Sequence, residues 1–125
     1  MQRPMHLLFR ARSARVIALV LIGFAIVGSL LPPQQMERLT WTISDKWIHC
    51  LYYTGLTFFC IQSFEEQNFR MMTKISAFVF SFGLLLEIMQ EILPVQRDMD
   101  VLDLLANTVG ILMANVLAHF LASNR

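Results

Sequence analysis

Residues 75–93 read ISAFVFSFGLLLEIMQEIL, an apolar stretch in which Glu87 is the first ionisable residue. Its length is close to the ~20 residues that cross the hydrocarbon core of a bilayer as a helix. Pro94 follows and predicts the helix end, because the residue before a proline disfavours helical geometry. We therefore expect a membrane-crossing helix that carries a carboxyl group ~9 Å from its end, at ~1.5 Å of rise per residue.

Three further apolar runs, residues 16–31, 47–64 and 101–122, have a similar length. The 125-residue chain is 56% hydrophobic and 15% charged, with a mean hydropathy of +0.55. Soluble domains carry roughly 25% charged residues, and a small soluble fold has too little interior for so much apolar surface. We predict an all-α domain over residues 1–125, an up-down bundle of transmembrane helices at about 14–31, 47–64, 75–93 and 101–122.

Basic residues predict how the bundle is oriented. The links at 32–46, 65–74 and 94–100 are short, so successive helices should alternate in direction. Seven basic residues lie on the side of the termini: Arg3, Arg10, Arg12, Arg15, Arg70, Lys74 and Arg125. Three lie on the other side: Arg38, Lys46 and Arg97. By the positive-inside rule both termini are predicted to be cytoplasmic, and the first run is interpreted as an uncleaved anchor.

The last apolar run carries a small residue at every fourth position. These residues are Ala106, Gly110, Ala114, Ala118 and Ala122. A ridge of small side chains lets helices approach closely where lipid supplies no hydrophobic driving force between them. The pattern predicts that the fourth helix packs at the centre of the bundle.

Polar residues accompany the runs in three segments: the start of the second helix, the end of the third, and the beginning of the fourth with its preceding link. They are Asp45, Lys46, His49 and Tyr53; Glu87 and Gln90; and Arg97, Asp100, Asp103 and Asn107. In an alternating bundle all three segments meet at the membrane face opposite the termini. Ionisable groups inside a membrane are costly unless they are paired, protonated or hydrated, so we expect one shared polar cluster.

Two hypotheses account for the ionisable members of this cluster. In the first, His49, Glu87 and Asp103 perform acid–base chemistry, with pKa values tuned by desolvation and nearby charge. In the second, Lys46 and Arg97 neutralise the carboxylates, and the network only holds the helices together. The two basic residues also have the chemistry to clamp a phosphate or pyrophosphate at head-group depth, or to act as interface anchors. The sequence leaves these alternatives open.

The other cluster residues are expected to take part in ligand binding, and the amides also to bridge helices. These residues are Asp45, Tyr53, Gln90, Asp100 and Asn107. No dense metal-ligand motif such as HExxH or CxxC is present, so no metal ligand is assigned, although His49, Glu87 and Asp103 offer nitrogen and oxygen donors. The sequence identifies no cofactor.

The three segments form motifs with definite spacing. They read Asp45-Lys46-x-x-His49 with Tyr53, then Gly83-x-x-x-Glu87-x-x-Gln90, then Arg97-x-x-Asp100-x-x-Asp103-x-x-x-Asn107-x-x-Gly110. In this order they resemble the VanZ-like family of bacterial membrane proteins, named for a teicoplanin-resistance protein. The chain departs from the family pattern at Ala114, where a glycine is expected, and at Glu91, where an apolar or aromatic residue is usual. The resemblance implies a role at the cell envelope and a link to glycopeptide resistance, but no particular reaction.

Together these features predict a multi-pass protein of the bacterial cytoplasmic membrane. Its polar cluster would bind or process an anionic lipid-linked envelope intermediate, such as a lipid phosphate or pyrophosphate, in the outer leaflet. The alternative is a non-catalytic membrane scaffold whose cluster only locks the bundle. The net charge of +1 and the scattered basic residues predict no nucleic-acid partner.

Overall fold

The computed structural model describes residues 5–32, 45–95 and 97–124, with side chains from Arg10 onward. These ranges form four helices and no strand. Helix α1 spans Met5–Leu30, α2 spans Asp45–Gln62, α3 spans Phe69–Ile92 and α4 spans Val101–Ser123. The predicted all-α class is confirmed. Helices α1 and α3 begin several residues before their apolar runs, because short polar segments form helix as readily as apolar ones.

Local signals in the sequence set several helix ends. Asn68 caps the start of α3, where its side chain accepts a hydrogen bond from the backbone N–H of Met71 (2.9 Å). Asp100 caps α4 in the same way, accepting from the N–H of Leu102 (2.8 Å). Such caps satisfy backbone donors that have no partner within the helix. The cap of α4 also holds the Asp100 carboxylate where it accepts a hydrogen bond from Lys46 of α2.

Three helices are long and apolar enough to cross a membrane: Arg10–Leu30 within α1, Phe69–Ile92, and Val101–Ser123. Large apolar side chains such as Phe24, Leu112 and Val116 lie more than half exposed on the outer surface. An apolar outer surface of this kind indicates a lipid environment. Helix α2 is less apolar, because its first turns carry charged and polar residues, and its crossing stays a prediction.

Contacts between helices show that they alternate in direction. Lys46 and His49 of α2 contact Asp103 and Asn107 of α4 in the same order, so these two helices are parallel. Helix α3 runs the opposite way, since Ser76 near its start meets Asn115 near the end of α4. Helix α1 is antiparallel to α2: its Arg15 donates to the carbonyl of Ser63, just after the end of α2, and its Leu21 carbonyl accepts from Tyr52. The predicted up-down arrangement is confirmed within the described ranges. Which end of the bundle faces the cytoplasm stays a prediction, and three of the basic residues behind it, Arg3, Arg38 and Arg125, lie outside those ranges.

The centre of the bundle is α2 and not α4. Helices α2 and α3 each pack against all three other helices, whereas α4 packs mainly against α2 and α3; α2 has the two largest interfaces, with α4 and with α1. The small-residue ridge of α4 serves this interface: Gly110, Ala114 and Ala118 are buried, whereas Ala122 is exposed. The predicted central position of α4 is therefore wrong. The ridge marks a close approach to one neighbour, and the sequence pattern alone does not say which of the two helices lies in the middle.

Gly110 is the point of closest approach. A Cβ atom placed there would lie 2.3 Å from the carbonyl oxygen of Cys50 and 3.0 Å from the backbone nitrogen of Thr54. Both atoms belong to the α2 backbone, so no side-chain rotation relieves the clash. Glycine is therefore required for α2 and α4 to pack at this distance, and this distance brings the polar residues of the two helices together.

Candidate functional site

An ion-pair network joins the first turns of α2 and α4. The ammonium group of Lys46 donates to Oδ2 of Asp100 and to Oδ1 of Asp103. Asp103 is buried, whereas Lys46 and Asp100 are partly exposed. Two hydrogen bonds hold the pKa of Asp100 below its ordinary value: the one from Lys46 has the larger effect, and the one from the Leu102 N–H has the smaller. Lys46 thus already neutralises carboxylates of α4.

His49 lies one turn deeper and is oriented by an amide. Its Nδ1 is 2.9 Å from Oδ1 of Asn107, which is only 1% exposed. Because an amide oxygen only accepts hydrogen bonds, Nδ1 carries the proton. The other ring nitrogen, Nε2, faces Oδ2 of Asp103 at 3.6 Å and Oδ1 of Asp45 at 3.8 Å. The imidazole therefore presents Nε2 to two carboxylates.

The end of α3 reaches the cluster through Glu87. This carboxyl group is 2% exposed, and its Oε2 accepts from the backbone N–H of Asp100 (3.3 Å). Gln90, one turn along α3, donates to the carbonyl of Ser29 in α1 (3.4 Å). Arg97 donates to the carbonyl of Gly28 in α1 (3.4 Å). The end of α3 and the following link thus lie against both α1 and the start of α4.

Tyr53 and Gly83 form the floor of the cluster. The ring of Tyr53 is buried and nearly parallel to that of His49, with an interplanar angle of 5° and centroids 6.5 Å apart. A Cβ on Gly83 would come within 2.9 Å of the Tyr53 ring and 3.2 Å of Nδ2 of Asn107. That Nδ2 is buried and has no hydrogen-bond acceptor among the described residues. Gly83 therefore leaves room for two functional side chains on neighbouring helices.

A cavity of about 130 Å³ opens beside these residues, between α1, α2 and α3. Its polar lining residues include Asp45, His49, Glu87, Gln90 and Arg97. Its lining also includes the large, mainly apolar side chains of Phe24, Ile48, Tyr52 and Leu86. The volume is well above the ~10–15 Å³ that one buried water molecule needs. The cavity can therefore hold a small polar group with an apolar attachment beside it.

The convergence predicted from the sequence is confirmed by these contacts. The two carboxylates and the histidine proposed for acid–base chemistry come from three different helices and lie at one end of the bundle. The sequence did not identify the α1 residues Gly28 and Ser29, whose carbonyls receive Arg97 and Gln90. Their small side chains at the end of an apolar run were the available signal. The roles assigned to individual residues stay predictions.

One group of side chains has the spacing of metal ligands. One ligand atom each from Asp45, His49 and Asp103 lies within 4.8 Å of the others. The sequence had suggested Glu87 as the second carboxylate donor beside His49 and Asp103, and had assigned no metal ligand. Asp45 takes that place in the structure, because it precedes His49 by one helical turn and shares its face.

The chain was compared with family models, curated proteins and solved structures, and none of the three comparisons gives a match. The resemblance to the VanZ-like family therefore rests on the motifs quoted above. The site has to be interpreted from its own geometry and chemistry.

Proposed function

We propose that this chain is a VanZ-like integral membrane protein that binds or processes an anionic lipid-linked intermediate of the bacterial cell envelope. In this proposal all four helices cross the cytoplasmic membrane, both termini are cytoplasmic, and the cluster lies in the outer leaflet. The ligand is a lipid phosphate or pyrophosphate, and the activity contributes to glycopeptide resistance. The observation that carries the proposal is the cavity, whose lining combines charged and polar residues with large apolar ones at one end of an apolar bundle.

Charge supports Arg97 as the residue that receives the phosphate. Of the two basic residues suggested for this role, Lys46 is already paired with Asp100 and Asp103. Arg97 lines the cavity and has one guanidinium nitrogen directed to a backbone carbonyl, which leaves further N–H donors. Guanidinium groups are well suited to phosphate, because two parallel donors match two phosphate oxygens.

A scaffold without catalysis is the second candidate, and the Lys46 network favours it. Ion pairs that link α2 to α4 can specify how helices associate without performing chemistry. In this alternative the protein acts by contacting a partner or by shielding an envelope target. The cavity would then hold only water or ordinary phospholipid.

The first experiment asks which lipid the protein carries. The protein is purified gently in detergent, and its bound lipids are identified by mass spectrometry, for wild type, Arg97→Ala and Lys74→Ala. Lys74 is the matched control, since it lines a separate groove at the opposite end of the bundle. A polyprenyl-phosphate species that is lost only in Arg97→Ala supports the proposal. Ordinary phospholipid in all three samples supports the scaffold.

The second experiment separates chemistry from folding. His49→Gln, Glu87→Gln and Asp103→Asn retain the shape of each side chain but change its charge or basicity. If the cluster performs chemistry, glycopeptide resistance is lost while membrane protein levels stay normal. Depletion of the variants from the membrane would instead show that the cluster locks the bundle.

The third experiment tests the orientation. Asp98→Cys and Glu66→Cys place exposed thiols at opposite ends of the bundle, and a membrane-impermeant maleimide labels whichever end faces outward. The native Cys50 and Cys60 are replaced by serine in both samples. Labelling of Asp98→Cys in intact spheroplasts, and of Glu66→Cys only after permeabilisation, is expected. The reverse pattern would place the cluster at the cytoplasmic face.

A further inference from the structure

We infer that Asp45, His49 and Asp103 bind a divalent metal cation, and that this cation connects the protein to the phosphate of its ligand. The second half of the inference rests on the proposed function, whereas the first half does not. The argument has three steps: the geometry of the donors, the charge balance of the site, and the position of the open coordination site.

The donors are close to the separations that a metal site needs. Nε2 of His49 lies 3.6 Å from Oδ2 of Asp103 and 3.8 Å from Oδ1 of Asp45. Ligands held ~2.1 Å from an ion in a tetrahedral site are ~3.4 Å apart. A shift of a few tenths of an ångström closes both pairs, whereas the third pair, Asp45 with Asp103, lies within 4.8 Å and needs a larger movement. Asp45 is the donor most able to move, because its side chain is 47% exposed.

His49 is oriented as a metal ligand would be. Its Nδ1 faces Oδ1 of Asn107, so Nε2 is the ring nitrogen directed at the carboxylates of Asp45 and Asp103. Metal-binding histidines usually donate their second N–H to an oxygen in this manner, which fixes the ring and its tautomer. The ring nitrogen and one carboxylate oxygen from each aspartate thus surround a single point between α2 and α4, where a cation would contact all three.

The wider cluster also has an excess of acidic groups. Asp45, Glu87, Asp100 and Asp103 supply four carboxyl groups, whereas Lys46 is the one cation paired with them in the described part of the chain. Arg97 adds a second positive charge at the cavity wall. With all four carboxyl groups ionised, an anionic head group would meet net repulsion everywhere except at Arg97. A divalent cation removes this difficulty, since it neutralises the carboxylates and attracts the phosphate.

The remaining coordination position faces the cavity. Asp45 and His49 both line the cavity, whereas Asp103 closes the site from the α4 side. Three protein ligands with one open position are typical of sites that bind a substrate or an activated water molecule. A phosphate oxygen in the open position would lie in the cavity that Arg97 also lines. The nitrogen and oxygen donors suit Mn²⁺ or Zn²⁺.

Mn²⁺ is the probe for the test, because electron paramagnetic resonance detects its binding and its ligands. The full chain, purified in detergent and treated with chelator, is titrated with Mn²⁺. Depletion of the free-ion signal measures affinity, and ¹⁴N coupling in spin-echo spectra reports a bound imidazole. We expect ¹⁴N coupling in wild type and its loss in His49→Gln, with affinity weakened about tenfold or more in His49→Gln and Asp45→Asn. His119→Gln, an exposed histidine toward the other end of α4, should match wild type.

Two results would overturn the metal site: wild type that depletes no Mn²⁺, or bound Mn²⁺ that shows no ¹⁴N coupling. Asp45→Asn keeps the test valid if His49→Gln fails to fold, since Asp45 lies at the exposed start of α2. Inorganic phosphate is then added to the Mn²⁺-loaded protein. A ³¹P coupling supports the bridging role. Mn²⁺ binding without ³¹P coupling would support the cation site but contradict the bridge to phosphate. A co-purified polyprenyl-phosphate species without Mn²⁺ binding would support the proposed function but contradict the cation site.

Discussion

Gly110→Ala tests the helix contact on which the site depends. The added methyl group would lie 2.3 Å from the carbonyl oxygen of Cys50, whereas carbon and oxygen normally approach no closer than ~3.3 Å. The backbones of α2 and α4 must therefore separate by about 1 Å. Overpacking of this kind costs ~1–3 kcal/mol, and a clash with backbone on both helices belongs at the upper end. Alanine regains about 1 kcal/mol of helix propensity, which leaves a net loss of about 2 kcal/mol.

The measurement is the free energy of unfolding in mixed micelles, titrated with SDS and followed by circular dichroism. A loss of about 2 kcal/mol lowers the folding equilibrium constant roughly thirtyfold. Gly55→Ala is the matched control, since Gly55 is also a helical glycine and its Cβ would meet no described atom within 4 Å. The control should be as stable as wild type or slightly more stable. Equal stabilities for Gly110→Ala and Gly55→Ala would refute the close approach of α2 and α4.

Three further substitutions have defined outcomes in the same assay. Lys46→Met leaves the buried carboxylate of Asp103 without its cation and should lower the free energy of unfolding by about 2 kcal/mol. The cost is smaller than for a fully buried pair because Lys46 is partly exposed. Adding Asp103→Asn should restore much of the loss. Ser76→Ala removes the oxygen that accepts from Asn115 (2.7 Å) and should cost roughly 0.6–1.7 kcal/mol, whereas no change would show that this contact is not formed. Thr57→Val should stabilise by about 1 kcal/mol, because the Thr57 hydroxyl is buried with no partner among the described residues; a loss of stability would reveal an unseen partner.

The sequence predicted the meeting of the polar segments because that depends only on helix direction. Short links force alternation, and alternation returns the start of α2, the end of α3 and the start of α4 to one end of the bundle. His49 could therefore be placed near Asn107 and Asp103 from residue order alone. Helical spacing also placed Lys46 and His49 on a common face.

Pairwise geometry was beyond the sequence. The predicted cluster contained four carboxyl groups, and only the packing of α2 against α4 decides that Lys46 pairs with Asp100 and Asp103. Asp45 was assigned only to general ligand binding: its spacing places it on the same face as His49, but spacing alone does not show that its carboxylate turns toward Nε2 of His49. The starts of α1 and α3 were also misplaced, since an apolar run marks the part of a helix that meets lipid and not the whole helix.

The pairing of α2 with α4 has a consequence for synthesis at the ribosome. Helix α2 is the least apolar of the four described helices, yet its largest interface is with α4, which follows it by two helices in the chain. In the proposed membrane topology, Lys46 lacks the α4 carboxylate that neutralises it until α4 emerges, so α2 would enter lipid at a higher energetic cost before α4 is in place. We therefore expect release of α2 from the translocation channel to be coupled to synthesis of α4. Stalled nascent chains that end before Val101 should crosslink through α2 to the channel, and chains that extend past Ser123 should not.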